Sequence, residues 1–248
     1  MKIIIKLGTS TVVRENGKVN KRALKALAKS IKEIRREGHY VLVVASGAVG
    51  CSKSILKDST ASTWEEKSAL SSVGQILLME KFRKILKRKH IVTGQNLYDS
   101  NFYEQDQEKR HILAQLKVAG EKGILTIVNA NDATGFEKSD NDVLASHIAR
   151  EIQADKLIYV TDEEGFKRKN ADGSYGEVIE DMSQEEVDGL IHMADGAKSE
   201  RSSGGMRTKV SSCKVARDTD VYIVSNKRIK DLADLVSGKK KFGTVIHR

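Results

Sequence analysis

The sequence predicts an α/β protein built on a doubly wound, mainly parallel sheet with helices on both faces, an αβα sandwich. Short apolar runs of strand length alternate with longer stretches of helical period along the whole chain. Such alternation is typical of parallel strands joined by crossover helices. The chain has 248 residues and contains neither a low-complexity linker nor an internal repeat. We therefore expect one domain that spans residues 1–248.

The predicted strands are short runs rich in Val, Ile and Leu. In chain order they are Lys2–Leu7, Tyr40–Val44, Ile91–Gly94, Ile124–Val128, Lys156–Val160, Val221–Val224 and Thr244–His247. Apolar residues at consecutive positions indicate strands that are buried on both faces, as the strands of a parallel sheet are.

The predicted helices place apolar side chains three or four residues apart. Leu24, Leu27 and Ile31 show this spacing in the first helix. In chain order the helices are Arg22–Ile34, Trp64–Leu86, Arg110–Glu121, Asp140–Ile152, Gln184–Met193, a helix that opens at Ser202–Gly205 and runs through Ala216, and Ile229–Val236. The stretch Glu163–Tyr175 is polar and rich in turn residues, so turns are expected there.

The composition excludes several classes of protein. The chain contains no proline and 19 glycines, so glycine, Asn and Asp must form the turns, and proline-rich docking tails are excluded. No apolar stretch approaches the roughly 20 residues that cross a bilayer, and the N-terminal apolar run is too short for a signal peptide. Two distant cysteines exclude a disulfide scaffold and favour the cytoplasm. The six histidines show no metal-ligand spacing, so no metal held by side chains is expected.

The net charge of +9 favours an acidic partner, which leaves nucleic acid, an anionic membrane and small phosphates or carboxylates open. Basic runs at Lys81–Lys89 and Lys239–Lys241 support nucleic acid. Apart from Phe82, those runs contain no aromatic side chain that could be interleaved for base stacking, and no nucleic-acid motif accompanies them. A solvated helix face and a surface turn explain them more simply, so we expect neither a nucleic-acid nor a membrane partner.

Four polar or glycine-rich segments follow predicted strands. They are Gly8–Ser10, Ser46–Gly50, Asn129–Asp132 and Thr161–Asp162. Doubly wound sheets bind ligands outside the carboxyl ends of their strands, so these segments predict the position of the site. Each segment alone also has a plain structural explanation, such as an ordinary turn or close packing between a strand and a helix.

Two lysines lie beside glycine turns at opposite ends of the chain. Lys6 closes the first strand just before Gly8, and Lys209 lies one turn into a helix that Gly204 and Gly205 precede. Backbone N–H groups in such turns can bind phosphate oxygens, although the Walker A pattern GxxxxGK[ST] is absent. Phosphoryl transfer depends mostly on positioning and charge neutralisation. A lysine on each side of the moving group and a carboxylate that holds both lysines would suffice.

Two clusters of Asn and Asp, Asn129–Asp132 and Ser139–Asp142, lie close together in the sequence. Their mixture of carboxylate acceptors and amide donors suits a zwitterionic amino acid. A helix cap is the alternative explanation for Asp140. The spacing of an EF-hand is missing, which argues against a calcium loop.

Together these motifs resemble the amino acid kinase family, and within it the members that act on glutamate. The matching segments occur in family order and are Lys6–Ser10, Ser46–Ala48, Val73–Gln75, Asn129–Ala133, Asp140–Asp142, Thr161–Asp162 with Gly165, and Gly204–Lys209. The resemblance implies the amino acid kinase fold. It also implies phosphorylation of the γ-carboxylate of L-glutamate by ATP with Mg²⁺, the first step of proline biosynthesis.

The resemblance further implies roles for individual residues. Lys6 and Lys209 would contact the transferred phosphoryl group as catalytic residues, and Asp142 would orient both. L-glutamate would be bound by Ser46, Asn129, Asp132 and Asn141. ATP would be contacted by Lys6, Gly8, Thr161, Asp162, Ser203, Gly204, Gly205, Met206, Arg207, Thr208 and Lys209.

The nearest alternative is a sister kinase whose acceptor is acetylglutamate, aspartate, carbamate or a nucleoside monophosphate. The paired Asn and Asp clusters favour a free amino acid as the acceptor. A basic regulatory protein that binds nucleic acid is the alternative from another class. Many relatives carry a C-terminal PUA domain, which we do not expect here because the chain ends near the last expected strand. A homo-oligomer and delivery of the product to glutamyl phosphate reductase are further expectations.

Overall fold

A mostly parallel sheet of eight strands forms the centre of the molecule. The structure is a computed structural model, and it describes residues 1–56, 59–99, 104–135, 140–169, 172, 174–190 and 206–248. In that part of the chain the strands are β1 Lys2–Leu7, β2 Tyr40–Ala45, β3 Thr93–Tyr98, β4 Leu125–Ala130, β5 Lys156–Thr161, β6 Lys167–Lys169, β7 Tyr175–Val178, β8 Asp181–Ser183, β9 Asp220–Ser225 and β10 Thr244–His247.

Helices cover both faces of the sheet. Those of the described residues are α1 Thr9–Val12, α2 Lys21–Arg36, α3 Ala48–Ser52, α4 Trp64–Lys87, α5 Asp106–Glu121, α6 Asn141–Ile152, α7 Gln184–Leu190, α8 Met206–Cys213 and α9 Leu232–Val236. A 3₁₀ helix, Asn226–Asp231, directly precedes α9. None of these helices combines the length and the apolar character that a membrane crossing needs.

The strand order is β3-β4-β2-β1-β5-β9-β10-β8, with β6 and β7 in a separate antiparallel pair. All pairs from β3 to β9 are parallel, β10 runs antiparallel to β9, and β8 is parallel to β10. The chain first moves from β1 outward through β2 towards β3, and then crosses back to place β5 on the other side of β1. The direction of winding therefore changes beside β1, and a crevice is expected there at the carboxyl ends of the strands.

Side-chain alternation along β1 divides the core into two layers. Ile3 and Ile5 pack in the layer that contains α2, α4 and α9. Ile4 packs in the other layer, with α5, α6 and α8. Because successive strand residues point to opposite faces, Lys6 shares the face of Ile4. The lysine therefore points towards the layer that contains α6 and α8.

The predicted fold class is confirmed, and most elements lie within a few residues of their predicted bounds. The prediction for β3 was wrong by several residues, because this edge strand reads Thr-Gly-Gln-Asn and lacks the apolar pattern of a buried strand. The short helices α1 and α3 were missed because each follows a glycine and is too short to show a helical period. The polar stretch expected as turns contains β6 and joins it to β7.

Helices α3 and α4 cross at very close range through Gly74. A Cβ atom at this position would lie 1.7 Å from the carbonyl oxygen of Ala48. Real atoms cannot approach that closely, so only glycine allows this crossing. The contact fixes α3, and with it the segment that follows β2, against α4.

We predict that Gly74→Ala destabilises the protein although alanine is the better helix former. Overpacking should outweigh the propensity gain and lower the free energy of unfolding by about 2 kcal/mol. Urea denaturation measures the change. Gly189→Ala in α7 is the matched control, because among the described residues an added Cβ there meets no neighbouring atom outside its own helix within 4 Å. An unchanged stability in Gly74→Ala would contradict the close crossing.

Candidate active site

The polar segments predicted at strand ends meet at one edge of the sheet. Lys6 pairs in register with Val44 of β2 on one side and with Tyr159 of β5 on the other. Since these strands are parallel, Ser46 after β2 and Thr161 at the end of β5 lie on the same edge as Lys6. The site thus lies beside β1, where the direction of winding changes.

Lys6 and Lys209 both form ion pairs with Asp142. The Nζ atom of Lys6 contacts one carboxylate oxygen of Asp142, and the Nζ atom of Lys209 lies 3.2 Å from the other. The Asp142 side chain is fully buried, and each lysine side chain is 7% exposed. The structure therefore brings the two predicted lysines together around the predicted carboxylate. We call these three residues the lysine–aspartate triad.

Local structure holds Asp142 in place at the start of α6. Asp140 is the N-cap of this helix, and its Oδ1 accepts a hydrogen bond of 2.7 Å from the backbone N–H of Asp142. The carbonyl oxygen of Asp142 accepts a hydrogen bond of 3.0 Å from the hydroxyl of the buried Tyr159. The alternative explanation of Asp140 as a helix cap is thus confirmed.

The triad carries a net positive charge. Burial alone would raise the pKa of Asp142, but the ammonium groups of Lys6 and Lys209 outweigh burial and hold that pKa below its ordinary value. The carboxylate is therefore ionised at neutral pH. Two ammonium groups and one carboxylate leave one positive charge, which favours an anion at the exposed side of the lysines.

A cluster of amide side chains lies next to the triad. The Nδ2 atom of Asn141 donates to Asn129 Oδ1 at 2.8 Å and to Ser46 Oγ at 3.1 Å. The backbone N–H of Ala130 donates to the Oδ1 atoms of both Asn129 and Asn141, at 2.9 and 3.1 Å. Asn141 and Asp142 are consecutive, so the amide cluster and the triad share the first turn of α6.

Ser46, Asp132 and Asn141 line a cavity of about 830 Å³. The Asp132 carboxyl is largely buried, and burial raises its pKa to about 6. Its backbone is held by Ser68, whose hydroxyl donates to the Asp132 carbonyl oxygen at 2.6 Å. A buried carboxylate that still ionises at neutral pH is suited to a cationic group of a ligand.

The residues predicted to contact ATP are only partly described. Thr161 Oγ1 donates to Asp162 Oδ1 at 3.0 Å, and the Gly8 N–H donates to the Val160 carbonyl oxygen at 3.0 Å. That N–H is therefore engaged in the fold, and Gly8 caps α1 where a glycine turn was expected. Ser203, Gly204 and Gly205 lie outside the described residues. Met206, Arg207, Thr208 and Lys209 form the first turn of α8, in which Met206 and Lys209 are buried.

The sequence interpretation gave no role to several residues that the structure places at the site. Gln75 Oε1 accepts a hydrogen bond of 2.8 Å from Asn129 Nδ2. Arg14, Lys53 and Lys67 line the cavity. Gln75 belongs to a motif that carried the family resemblance, which was the one available signal. The three basic residues lie in segments with no distinctive pattern, so nothing in the sequence marked them.

An α/β sheet with two buried lysines around a carboxylate at its carboxyl edge is suited to phosphoryl transfer, in which positive groups stabilise the charge of the moving group. Residues 1–225 match the model of the amino acid kinase family. The chain belongs to this family, and it is a kinase that uses ATP.

Curated relatives are similar over nearly the whole chain. The chain is 32% identical to a glutamate 5-kinase of Clostridium perfringens, over 96% of the chain and 92% of that protein. It is 30% identical to a glutamate 5-kinase of Caldanaerobacter subterraneus, over 98% of the chain and 67% of that protein.

Two solved structures share the fold at low identity. The isopentenyl phosphate kinase of T. acidophilum, solved as a product complex, superposes with a TM-score of 0.65 at 13% identity, and the match covers all of both chains. The N-acetylglutamate synthase of Neisseria gonorrhoeae gives a TM-score of 0.70 at 16% identity, over 99% of this chain and 61% of that chain.

We predict that Asp142→Asn destabilises the fold by about 3 kcal/mol, because it removes the buried carboxylate that both ammonium groups contact. Thermal or urea unfolding measures the change. Glu33→Gln is the control, since its ion pair with Lys29 is exposed and its loss should change stability by less than about 1 kcal/mol. Equal stability of Asp142→Asn and the wild type would show that the triad does not hold the helices together.

Proposed function

We propose that the chain transfers the γ-phosphoryl group of ATP to the side-chain carboxylate of L-glutamate, which gives glutamyl 5-phosphate and ADP. The observation that carries this proposal is the lysine–aspartate triad beside a cavity lined by Ser46, Asp132 and Asn141. The names of the curated relatives support glutamate as the acceptor. The product would be the first intermediate of proline biosynthesis.

The lysines neutralise the charge that moves during the transfer. One oxygen of the glutamate γ-carboxylate forms a bond to the γ-phosphorus, while the bond from that phosphorus to the bridging oxygen of ADP breaks. The ammonium groups of Lys6 and Lys209 contact the oxygens of the moving group, and Asp142 keeps both ammonium groups in place. The acceptor carboxylate is already ionised at pH 7, so the reaction requires no general base.

Glutamate binds through its charged groups. The ionised Asp132 pairs with the α-ammonium group. Asn141 Nδ2 donates one hydrogen to Asn129 Oδ1 and the other to Ser46 Oγ. The Ser46 oxygen is therefore the acceptor in this hydrogen bond, and the Ser46 O–H does not point at Asn141. That hydroxyl then donates to a substrate carboxylate. Asn129 lies behind Asn141 and acts by fixing its amide.

ATP binds at the carboxyl end of β5 and the first turn of α8. The proposed contacts are Gly8, Thr161 and Asp162, together with the segment Ser203–Lys209. Mg²⁺ enters with ATP as part of the substrate complex, and it supplies charge neutralisation on the phosphates. Lys6 and Lys209 complete that neutralisation on the γ-phosphoryl group.

We also propose an oligomeric state, a cellular compartment and a fate for the product. The proposal includes a homo-oligomer, for which the exposed apolar side chains of Ile76 on α4 and Val92 beside the edge strand β3 are candidate contacts. The free cysteines Cys51 and Cys213 support a reducing cytoplasm. An acyl phosphate hydrolyses readily, which supports early consumption by a glutamyl phosphate reductase.

We predict that glutamate is the preferred acceptor in a panel with acetylglutamate, aspartate, carbamate and UMP, each assayed with MgATP. Hydroxylamine in the assay converts an acyl phosphate to a coloured hydroxamate, so glutamate should give both ADP and hydroxamate. A much higher kcat/KM for acetylglutamate or UMP would overturn the proposed acceptor.

Lysine variants provide the controls for this assay. Lys6→Ala and Lys209→Ala should lower kcat at least about 100-fold through lost charge stabilisation. Lys29→Ala should keep wild-type rates, because this lysine side chain is 68% exposed on α2. If both site variants keep near-normal kcat, the proposed mechanism is wrong.

We predict that kcat/KM for glutamate falls as the pH falls through about 6, since protonation of Asp132 removes the partner of the substrate ammonium group. Initial rates between pH 5 and 8 measure this dependence, and it should be absent in Asp132→Asn.

The pH dependence of stability should have the opposite direction. A carboxyl whose pKa is raised on folding contributes stability at low pH, and that contribution is lost as the pH rises through the folded-state pKa. Asp132→Asn should therefore exceed the wild type in stability at pH 8 more than at pH 5.

A further inference from the structure

Gln75 lies behind the amide cluster, on α4, and is 8% exposed. It belongs to the Val73–Gln75 motif, to which the proposed function assigns no task. Its Oε1 accepts from Asn129 Nδ2, and Asn129 Oδ1 accepts from Asn141 Nδ2, both at 2.8 Å. A continuous chain of hydrogen bonds thus runs from Gln75 through Asn129 to Asn141 and ends at Ser46.

The direction of this chain is fixed by a backbone group. The N–H of Ala130 can only donate, and it donates to the Oδ1 atoms of both Asn129 and Asn141. These oxygens therefore face Ala130, which leaves Asn129 Nδ2 pointing at Gln75. Gln75 must then present its oxygen, because a second NH₂ group there would leave two donors facing each other.

The Nε2 atom of Gln75 indicates which part of this amide the structure uses. This atom is buried and meets no hydrogen-bond partner among the described residues. An unpaired buried donor is unfavourable, and an apolar side chain of the same size would avoid it. The acceptor oxygen is thus the part of Gln75 that the structure uses. Its neighbour Gly74 permits the close approach of α4 to α3.

We infer that Gln75 is a positioning residue for the acceptor substrate: it orients Asn129, and through Asn129 it holds the Asn141 amide and the Ser46 hydroxyl in the geometry that binds glutamate. This inference rests on the proposed function. Gln75 does not line the cavity itself, so it acts through the cluster without touching the substrate. Its effect should therefore fall on glutamate binding, while the phosphoryl-transfer step at the triad is unaffected.

The test is Gln75→Met, which keeps the length of the side chain and removes its acceptor. Without that acceptor Asn129 Nδ2 loses its partner, so we expect KM for glutamate to rise about 10-fold. We expect kcat within about 3-fold of wild type and an unchanged KM for ATP. Calorimetric titration of glutamate should show a matching increase in Kd. Thermal unfolding of the variant checks that the fold is intact.

Gln115→Met is the matched control. Gln115 Oε1 also accepts a hydrogen bond from an asparagine, Asn96 Nδ2 at 2.6 Å, but on the exposed surface of α5. This variant should leave KM for glutamate unchanged. An equal rise in both variants would indicate a general loss of stability and would overturn the inference.

A double-mutant cycle separates positioning from packing. Asn141→Ala alone should raise KM for glutamate. If Gln75 acts through Asn141, adding Gln75→Met to that variant should raise KM by less than about 2-fold further. Fully additive effects, or a wild-type KM in Gln75→Met, would overturn the inference while the proposed function stands. A wild type that forms no hydroxamate with glutamate would overturn both.

Discussion

The fully buried carboxylate of Asp142 is the constraint around which the rest of the site is arranged. A lone carboxylate in this position would take up a proton, because the interior does not solvate a charge. The two ammonium groups prevent protonation, and they are themselves nearly buried. Each charge in the triad is thus stabilised by its ion pairs with the others. The three elements that supply them, β1, α6 and α8, must pack in one arrangement for any of the three to be buried.

The topology explains why those three elements meet. β1 is flanked by β2 and β5, and the winding direction changes beside it, so the carboxyl end of β1 opens into the crevice. Alternation along β1 directs Lys6 towards the layer of α6 and α8. Helix α6 places Asp142 in its first turn, at the end of the helix that faces the crevice. Lys209 contacts the same carboxylate from α8. The two residues are far apart in the sequence, and the fold of the sheet brings them together.

Sequence reasoning predicted the parts of the site that depend on local pattern. Lys6 beside a glycine and the cluster Asp140–Asp142 each stand out by residue type at a strand end or a helix start. The prediction that Lys6 and Lys209 share one carboxylate depended on the family resemblance and on the chemistry of phosphoryl transfer. The structure brings these three residues together. The link between Gln75 and Asn129 spans 54 positions and leaves no local pattern. The close crossing at Gly74 could not be predicted for the same reason. A glycine within a helix only indicates low helix propensity until the residue that packs against it is known.

Three consecutive residues at the start of α6 connect the two halves of the proposed reaction. Successive residues of a helix point about 100° apart, so neighbours in the first turn can face different partners. Asp140 caps the helix, Asn141 faces Ser46 and Asn129, and Asp142 faces the two lysines. The acceptor cavity and the lysines are therefore attached to one rigid turn. A shift of α6 that misplaced the acceptor would also separate Asp142 from its lysines, and burial of the unpaired charge opposes that shift. The stability of the triad thereby fixes the distance between the acceptor and the charges that stabilise the moving phosphoryl group.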